Sequence, residues 1–206
     1  MAARWLCLLV LLGLLSGGSG ALPKKRKEPE KPLDKIAIQK NFNLDQFLGK
    51  WYLVGVASKC NYLRENNFRV EATTIQLSHP TEAKETVAIS TLRKLNLQCW
   101  DLRQTLALTD KAGKFVLKGK RKANDLTIVV GDTDYATYAI MYLQKQNMIT
   151  MKLYGRSVDL SDQMIEKFEG LAASQGITED LVYYFPRYGF CDTVDESYTV
   201  SKCLHR

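Results

Sequence analysis

What most constrains this chain is a succession of eight short runs rich in β-branched and aromatic residues, with little between them but turn signals. The runs are Trp51–Ser58, Arg69–Leu77, Thr86–Leu95, Gln98–Thr109, Lys114–Gly119, Leu126–Asp134, Ala136–Gln144 and Met148–Ser157. His79-Pro80, Asn96, Ala112-Gly113, Asn124-Asp125 and Gln146-Asn147 separate them, residue types that turn a backbone back on itself. Thr86 to Ser90 and Met148 to Leu153 show the period-two pattern of a strand buried on one face. Connections this short join antiparallel neighbours, so the pattern predicts an all-β fold, an up-and-down barrel or a sandwich.

One helix follows the strands. Ser161 or Asp162 can cap it, Met164, Ile165, Phe168, Leu171 and Ala172 recur at helical spacing, and Gly176 stops it. Its apolar stripe predicts packing against the outside of the sheet. Phe42 to Gly49 reads as a helical turn leading into the first strand, and Thr178–Val182 as a second short helical piece. From Pro186 to Cys203 the tail reads as irregular.

The first twenty residues have the layout of a secretory signal peptide. Arg4 is followed by the apolar run Trp5–Leu15 and by small residues, with cleavage expected between Ser19 and Leu22. The run is shorter than the ~20 residues a membrane-spanning helix needs, so the mature chain is expected to be secreted. Residues 21–40 read as a disordered basic arm, because Pro23–Lys35 holds six Lys/Arg, three acids and three prolines. Such an arm serves as a solvated tether rather than a nucleic-acid or lipid contact. Residues 41–206 then form one domain with its tail. No Asn-x-Ser/Thr acceptor occurs, so N-glycosylation is not expected.

Cys7 leaves with the signal peptide, and Cys60, Cys99, Cys191 and Cys203 remain. In an oxidising compartment four cysteines allow three complete pairings, and spacing does not choose among them. There is no CxxC, and only His79 and His205 could assist, so no metal and no cofactor is expected. No Ser/His/Asp arrangement, acid pair or phosphate-cradling glycine loop is present either, which points away from an enzyme.

Gly49-Lys50-Trp51, Thr133-Asp134-Tyr135 and Arg156 stand at the first strand, after the sixth and at the end of the eighth. In that order they resemble the three signatures of the lipocalin family, and the likeness runs from about Phe42 to Cys191. It implies an eight-stranded up-and-down antiparallel barrel with one flanking C-terminal helix. It also implies that Trp51 plugs the closed end with Arg156 laid over its ring, a fold-building role rather than a ligand-reading one. An eight-stranded barrel has room for side chains and one small ligand. Val54, Val56, Ile75, Leu77, Ile89, Leu106, Val116, Val129, Ile140 and Tyr142 are the expected inward positions, lining a pocket for a partner or a small apolar ligand.

Further stretches narrow the likeness within the family. Ala57–Cys60, Glu71–Thr74, Thr91–Leu95 with Cys99-Trp100, and Tyr184–Cys191 resemble a plasma lipocalin carried as a covalently attached subunit of a larger assembly. That resemblance implies an interchain disulfide at Cys60 and an internal one between Cys99 and Cys191, leaving Cys203 over. Cys60 falls in the long connection Lys59–Phe68, which should lie exposed over the barrel mouth. One lipocalin branch is a prostaglandin synthase with a cysteine nucleophile on the second strand; aligned here, Thr73 stands at that position. A threonine hydroxyl without a neighbouring base does not replace a thiolate. The expected function is therefore a non-enzymatic subunit whose mouth docks a partner peptide, with no part in membrane insertion. The alternative is a free-standing carrier of a small hydrophobic ligand.

Overall fold

A computed structural model describes residues 32–66, 71–79, 85–95, 97–194 and 198–201. The signal peptide, the arm up to Lys31 and Cys203 lie outside the described residues. Eight strands follow one another: β1 (Gly49–Ser58), β2 (Thr73–Ser78), β3 (Thr86–Leu95), β4 (Gln98–Leu108), β5 (Lys114–Leu117), β6 (Leu126–Thr133), β7 (Tyr138–Lys145) and β8 (Met148–Gly155). Each pairs antiparallel with the next, and β8 returns to β1, so the sheet closes into a barrel. Closure leaves the eight-strand wall without a free edge.

Strand register decides which side chains enter the barrel. Trp51, Leu53, Ile75, Leu77, Val87, Leu106, Phe115, Ile128, Val130, Met141 and Tyr154 belong to one buried cluster, the interior. A bulge between Leu53 and Gly55, and another between Val130 and Asp132, shift the alternation by one residue. Beyond the first bulge Gly55 and Ala57 face outward and Val56 inward. The second is built on Gly131, where a Cβ would lie 2.4 Å from the Tyr142 ring.

The outside of the wall carries a second buried cluster. Helix α3 (Asp162–Ser174), preceded by the short helices α1 (Leu44–Phe47) and α2 (Asn61–Asn66), lays Phe168 and Ala172 on Ala57, Met151 and Leu153. Ser161 occupies the N-cap position of α3 without a side-chain hydrogen bond. The other end is a Schellman turn: Gly176 (φ +66°) donates to Ala173 O at 2.8 Å and Ile177 to Ala172 O at 3.0 Å.

Two expectations for the flanks change. Residues 32–40 are not a disordered arm: Leu33 is buried, and Ile36 and Ile38 pack with it on the outer cluster. Leu33 N–H donates to Gln144 Oε1 at 2.9 Å and Gln39 N–H to Val130 O at 2.9 Å. Three apolar residues among the charges suffice to dock this stretch on β6 and β7. Nor is the tail wholly irregular. Within it β10 (Thr199–Ser201) runs parallel along β4, and just ahead of it β9 (Val182–Tyr184) pairs antiparallel with β1.

Candidate functional site

The two ends of the barrel differ in chemistry. At the closed end Trp51 is fully buried and donates from Nε1 to Phe47 O at 2.9 Å. The Arg156 guanidinium carbon lies 3.7 Å from its ring centroid. Arg156 also donates from Nε to Tyr135 O at 3.0 Å, from Nη1 to Lys50 O at 2.9 Å, and from Nη2 to Gln46 O and Leu48 O at 2.9 Å each. One planar fork thus ties α1, β1 and the β6–β7 turn together. Burial lowers its pKa. Gly49 adopts φ +99°, and a Cβ there would come within 3.1 Å of Arg156 Nη1, so glycine is needed on both counts.

The turn after β6 supplies the rest. Tyr135 sits at φ +65°, and its hydroxyl accepts from Asn43 N–H at 3.0 Å. Thr133 donates from Oγ1 to Tyr138 O at 2.7 Å and accepts from Tyr135 N–H at 2.9 Å. Asp134 Oδ1 accepts from the backbone N–H groups of Ala136, Thr137 and Tyr138, and Oδ2 from the Thr137 hydroxyl. Partial burial pushes the Asp134 carboxyl up, but the bonds from Thr137, Tyr138 and Ala136 outweigh it and hold the pKa below its ordinary value. Every signature residue is thus committed to building this end.

Pocket residues divide by register. Val56, Ile75, Leu77, Ile89 and Leu106 face the interior. Val129, Ile140 and Tyr142 do not: they belong to the outer cluster beneath α3 and residues 32–40. Val116 pairs with Thr127 on the outer side, and Val54, at the first bulge, lines an external crevice with Phe185, Pro186 and Phe190. Their true inward neighbours are Leu53, Phe115, Ile128, Val130, Met141 and Tyr154. On β6 and β7 both faces are buried, so no polar alternation marks the inner one.

The mouth carries the chemistry left unassigned. Cys60 lies two residues beyond the end of β1, half-buried and unpaired among the described cysteines. Its N–H donates to Ser58 Oγ at 3.2 Å, and Ser58 bonds Thr150 across the wall at 2.9 Å. The expected open loop is partly helical: α2 starts one residue later and buries no side chain. Cys99 on β4 is bonded to Cys191 in the tail, 92 residues on. Thr73, at the synthase-nucleophile position, is buried and donates to Glu71 O at 3.0 Å. His79 pairs with Asp45 at 2.8 Å at the other end of the barrel. Among the described residues no three His, Cys, Asp or Glu are grouped to hold a metal ion.

A closed eight-stranded barrel, sealed by a tryptophan under an arginine, defines the class: the chain belongs to the lipocalin / cytosolic fatty-acid binding protein family, whose profile matches residues 48–188. It is similar along nearly its whole length to the complement component C8 gamma chain of Oryctolagus cuniculus, 33% identical over 95% of this chain and 96% of the relative. A lipocalin of Rhinella marina is 30% identical over 76% of this chain and 86% of its own. Protein AMBP of Bos taurus is 31% identical over 77% of this chain, which spans 46% of that relative. Among solved structures, the siderocalin Ex-FABP superposes with a TM-score of 0.61 at 24% identity, covering 70% of this chain and 96% of its own; this speaks to fold alone. The family and the C8 gamma likeness make the chain a binding protein and not an enzyme.

Proposed function

We propose that this protein is a secreted lipocalin subunit of the eighth complement component. In this reading it is joined through Cys60 to the alpha chain and carried, with the beta chain, into the membrane attack complex. The barrel mouth docks a peptide of the alpha chain. The observation that carries the reading is the placement of Cys60, half-buried just beyond the mouth-side end of β1 and unpaired among the described cysteines. A simple carrier has no use for such a thiol on its lid, whereas a socket can be made permanent by a disulfide at its edge. The near full-length similarity to a C8 gamma chain supports the same assignment. No helix among the described residues is long and apolar enough to cross a membrane. In this reading pore formation is left to the other chains.

Non-reducing against reducing electrophoresis of the circulating protein, with mass spectrometry of the Cys60 peptide, tests this. A larger species that releases this chain on reduction, with Cys60 bonded to an alpha-chain peptide, is the expected result. A lone monomer with Cys60 free or joined to Cys203 supports instead a free-standing plasma carrier of a small hydrophobic ligand. Cys60→Ala should abolish the covalent link and leave measurable non-covalent binding. Complete loss of affinity would mean that the disulfide alone holds the pair and that no socket exists.

A further inference from the structure

Charge is unequally shared between the ends of the barrel. The described strand connections at the mouth, 56–66, 71–75, 93–95, 97–100, 115–128 and 143–150, carry nine Lys/Arg against three Asp/Glu; outside the wall, Glu179, Asp180 and Asp192 are brought to the same end by the β9–β1 pairing and the Cys99–Cys191 bond. The closed-end segments, 40–51, 76–79, 85–88, 106–116, 131–140 and 153–161, carry five against six. Each of the four mouth connections contributes cations, so the excess forms a collar. Lys118 is paired with Asp125 at 3.6 Å. Arg64, Arg93, Lys120, Arg121, Lys122 and Lys145 are exposed and make no ion pair with a described residue. Like charges gathered on one rim repel one another, and an anionic partner relieves that repulsion.

A cation also lies inside the wall. Lys152 pairs with Val56 on β1 and Met141 on β7, both inward-facing, so by register it faces the interior between two apolar neighbours. It too makes no ion pair with a described residue.

We propose that this cationic mouth is the docking surface for an acidic segment of a partner polypeptide. Its carboxylates meet the collar, one acidic side chain reaches Lys152, and apolar side chains fill the cup beside Val56 and Met141. The proposal rests on the socket reading above and adds the chemistry of the occupant. A polypeptide is favoured over a sulfated glycan because the same rim carries Cys60, which only a thiol-bearing partner can bond. A glycan also has nothing to place on the apolar wall. Opposite charge at a rim acts mainly by steering association and fixing partner choice.

The test compares the mature Cys60→Ala protein with the same protein carrying Lys120→Gln, Arg121→Gln and Lys122→Gln, three exposed sites whose change leaves the fold intact. Binding to isolated C8 alpha chain is measured at low and high salt. A 20-residue Glu/Leu peptide, its Gln/Leu counterpart and heparin serve as further probes. Exposed pairs of this kind contribute ~0.2–1 kcal/mol each, so the triple change should weaken alpha-chain binding roughly tenfold, chiefly through the association rate. High salt should weaken the parent similarly and the triple variant less. If the alpha chain binds parent and triple variant alike at both salts, the collar proposal fails while the socket reading stands. If it binds neither, the socket reading fails, and the peptides decide the collar: Glu/Leu binding lost in the triple variant upholds it, and equal binding of the Glu and Gln peptides overturns it. Heparin binding tighter than the Glu/Leu peptide, and lost alone in the variant, would make the collar a glycan site and also overturn it.

Discussion

Arg156→Ala tests whether one side chain seals the barrel. The substitution removes four hydrogen bonds of 2.9–3.0 Å and the contact on the Trp51 ring. The bonds to Lys50 O and Gln46 O are exposed, so water replaces the donor there at little cost. Those to Tyr135 O and Leu48 O are partly buried, and each carbonyl left without a donor costs about 1–2 kcal/mol. The stacked cation adds about 1–2 kcal/mol, because the ring beneath it is shielded from water. The expected loss is about 3–6 kcal/mol, or roughly 10–15 °C in Tm for a domain of this size. Arg156→Lys keeps the charge but not the fork, and one ammonium does not span four carbonyls in different directions, so it should lose about half as much. Urea unfolding followed by far-UV circular dichroism is the suitable assay, since Trp51 emission itself changes when the cation leaves. A double-mutant cycle with Trp51→Leu should give a coupling of about 1–2 kcal/mol. A loss below about 1 kcal/mol for Arg156→Ala, or no coupling to Trp51, would refute the account.

Trp51→Ala should cost about 3–5 kcal/mol, since the void lies in a cluster closed by Phe47 and Arg156 that has little freedom to collapse; a wild-type Tm contradicts the plug role. Asp134→Ala should cost about 1 kcal/mol at neutral pH after allowance for solvent screening at this exposed turn. Because the folded-state pKa lies below the ordinary 3.8, the carboxylate's contribution is present above that value and fades as pH falls through the lowered one. The stability gap between wild type and variant should therefore narrow below about pH 4, and a gap constant with pH would show that the charge is irrelevant. Replacing both Cys99 and Cys191 by Ala should lower stability by about 4–5 kcal/mol through the freed loop, with trypsin cutting the tail first; unchanged proteolysis would mean the tail is pinned by β9 and β10 alone.

Strand count and order were legible because turn residues punctuate the chain at every reversal, and a turn is local chemistry. Inner and outer faces were legible only in part. On β2 the exposed Gln76 and Ser78 mark the outside, so Ile75 and Leu77 are assigned correctly to the interior. On β6 and β7, Ile128-Val129-Val130 and Ala139 to Tyr142 are apolar on both sides, because α3 and residues 32–40 bury the outer face as the core buries the inner one. A period of two carries no phase when both faces are dry. Bulges worsen this: the insertion at Val54 separates it from Val56, and nothing local in Leu53-Val54-Gly55 announces the shift. Residues 32–40 were misread for the opposite reason, since their charge masks three apolar contacts that exist only once the barrel surface has formed.

The same physics explains why motifs that reveal the fold are silent about the occupant. Gly49, Trp51, Thr133, Asp134, Tyr135 and Arg156 bond one another's backbones at the sealed end, and each has a geometric requirement that few residue types meet. Mouth residues such as Cys60, Lys120, Arg121 and Lys122 sit on connections where burial sets no period and backbone geometry demands no particular side chain. Freed from building the barrel, those positions can vary with whatever the mouth must hold. The cations and the thiol gathered there, without an ion pair or disulfide to a described residue, are groups the barrel does not use to build itself.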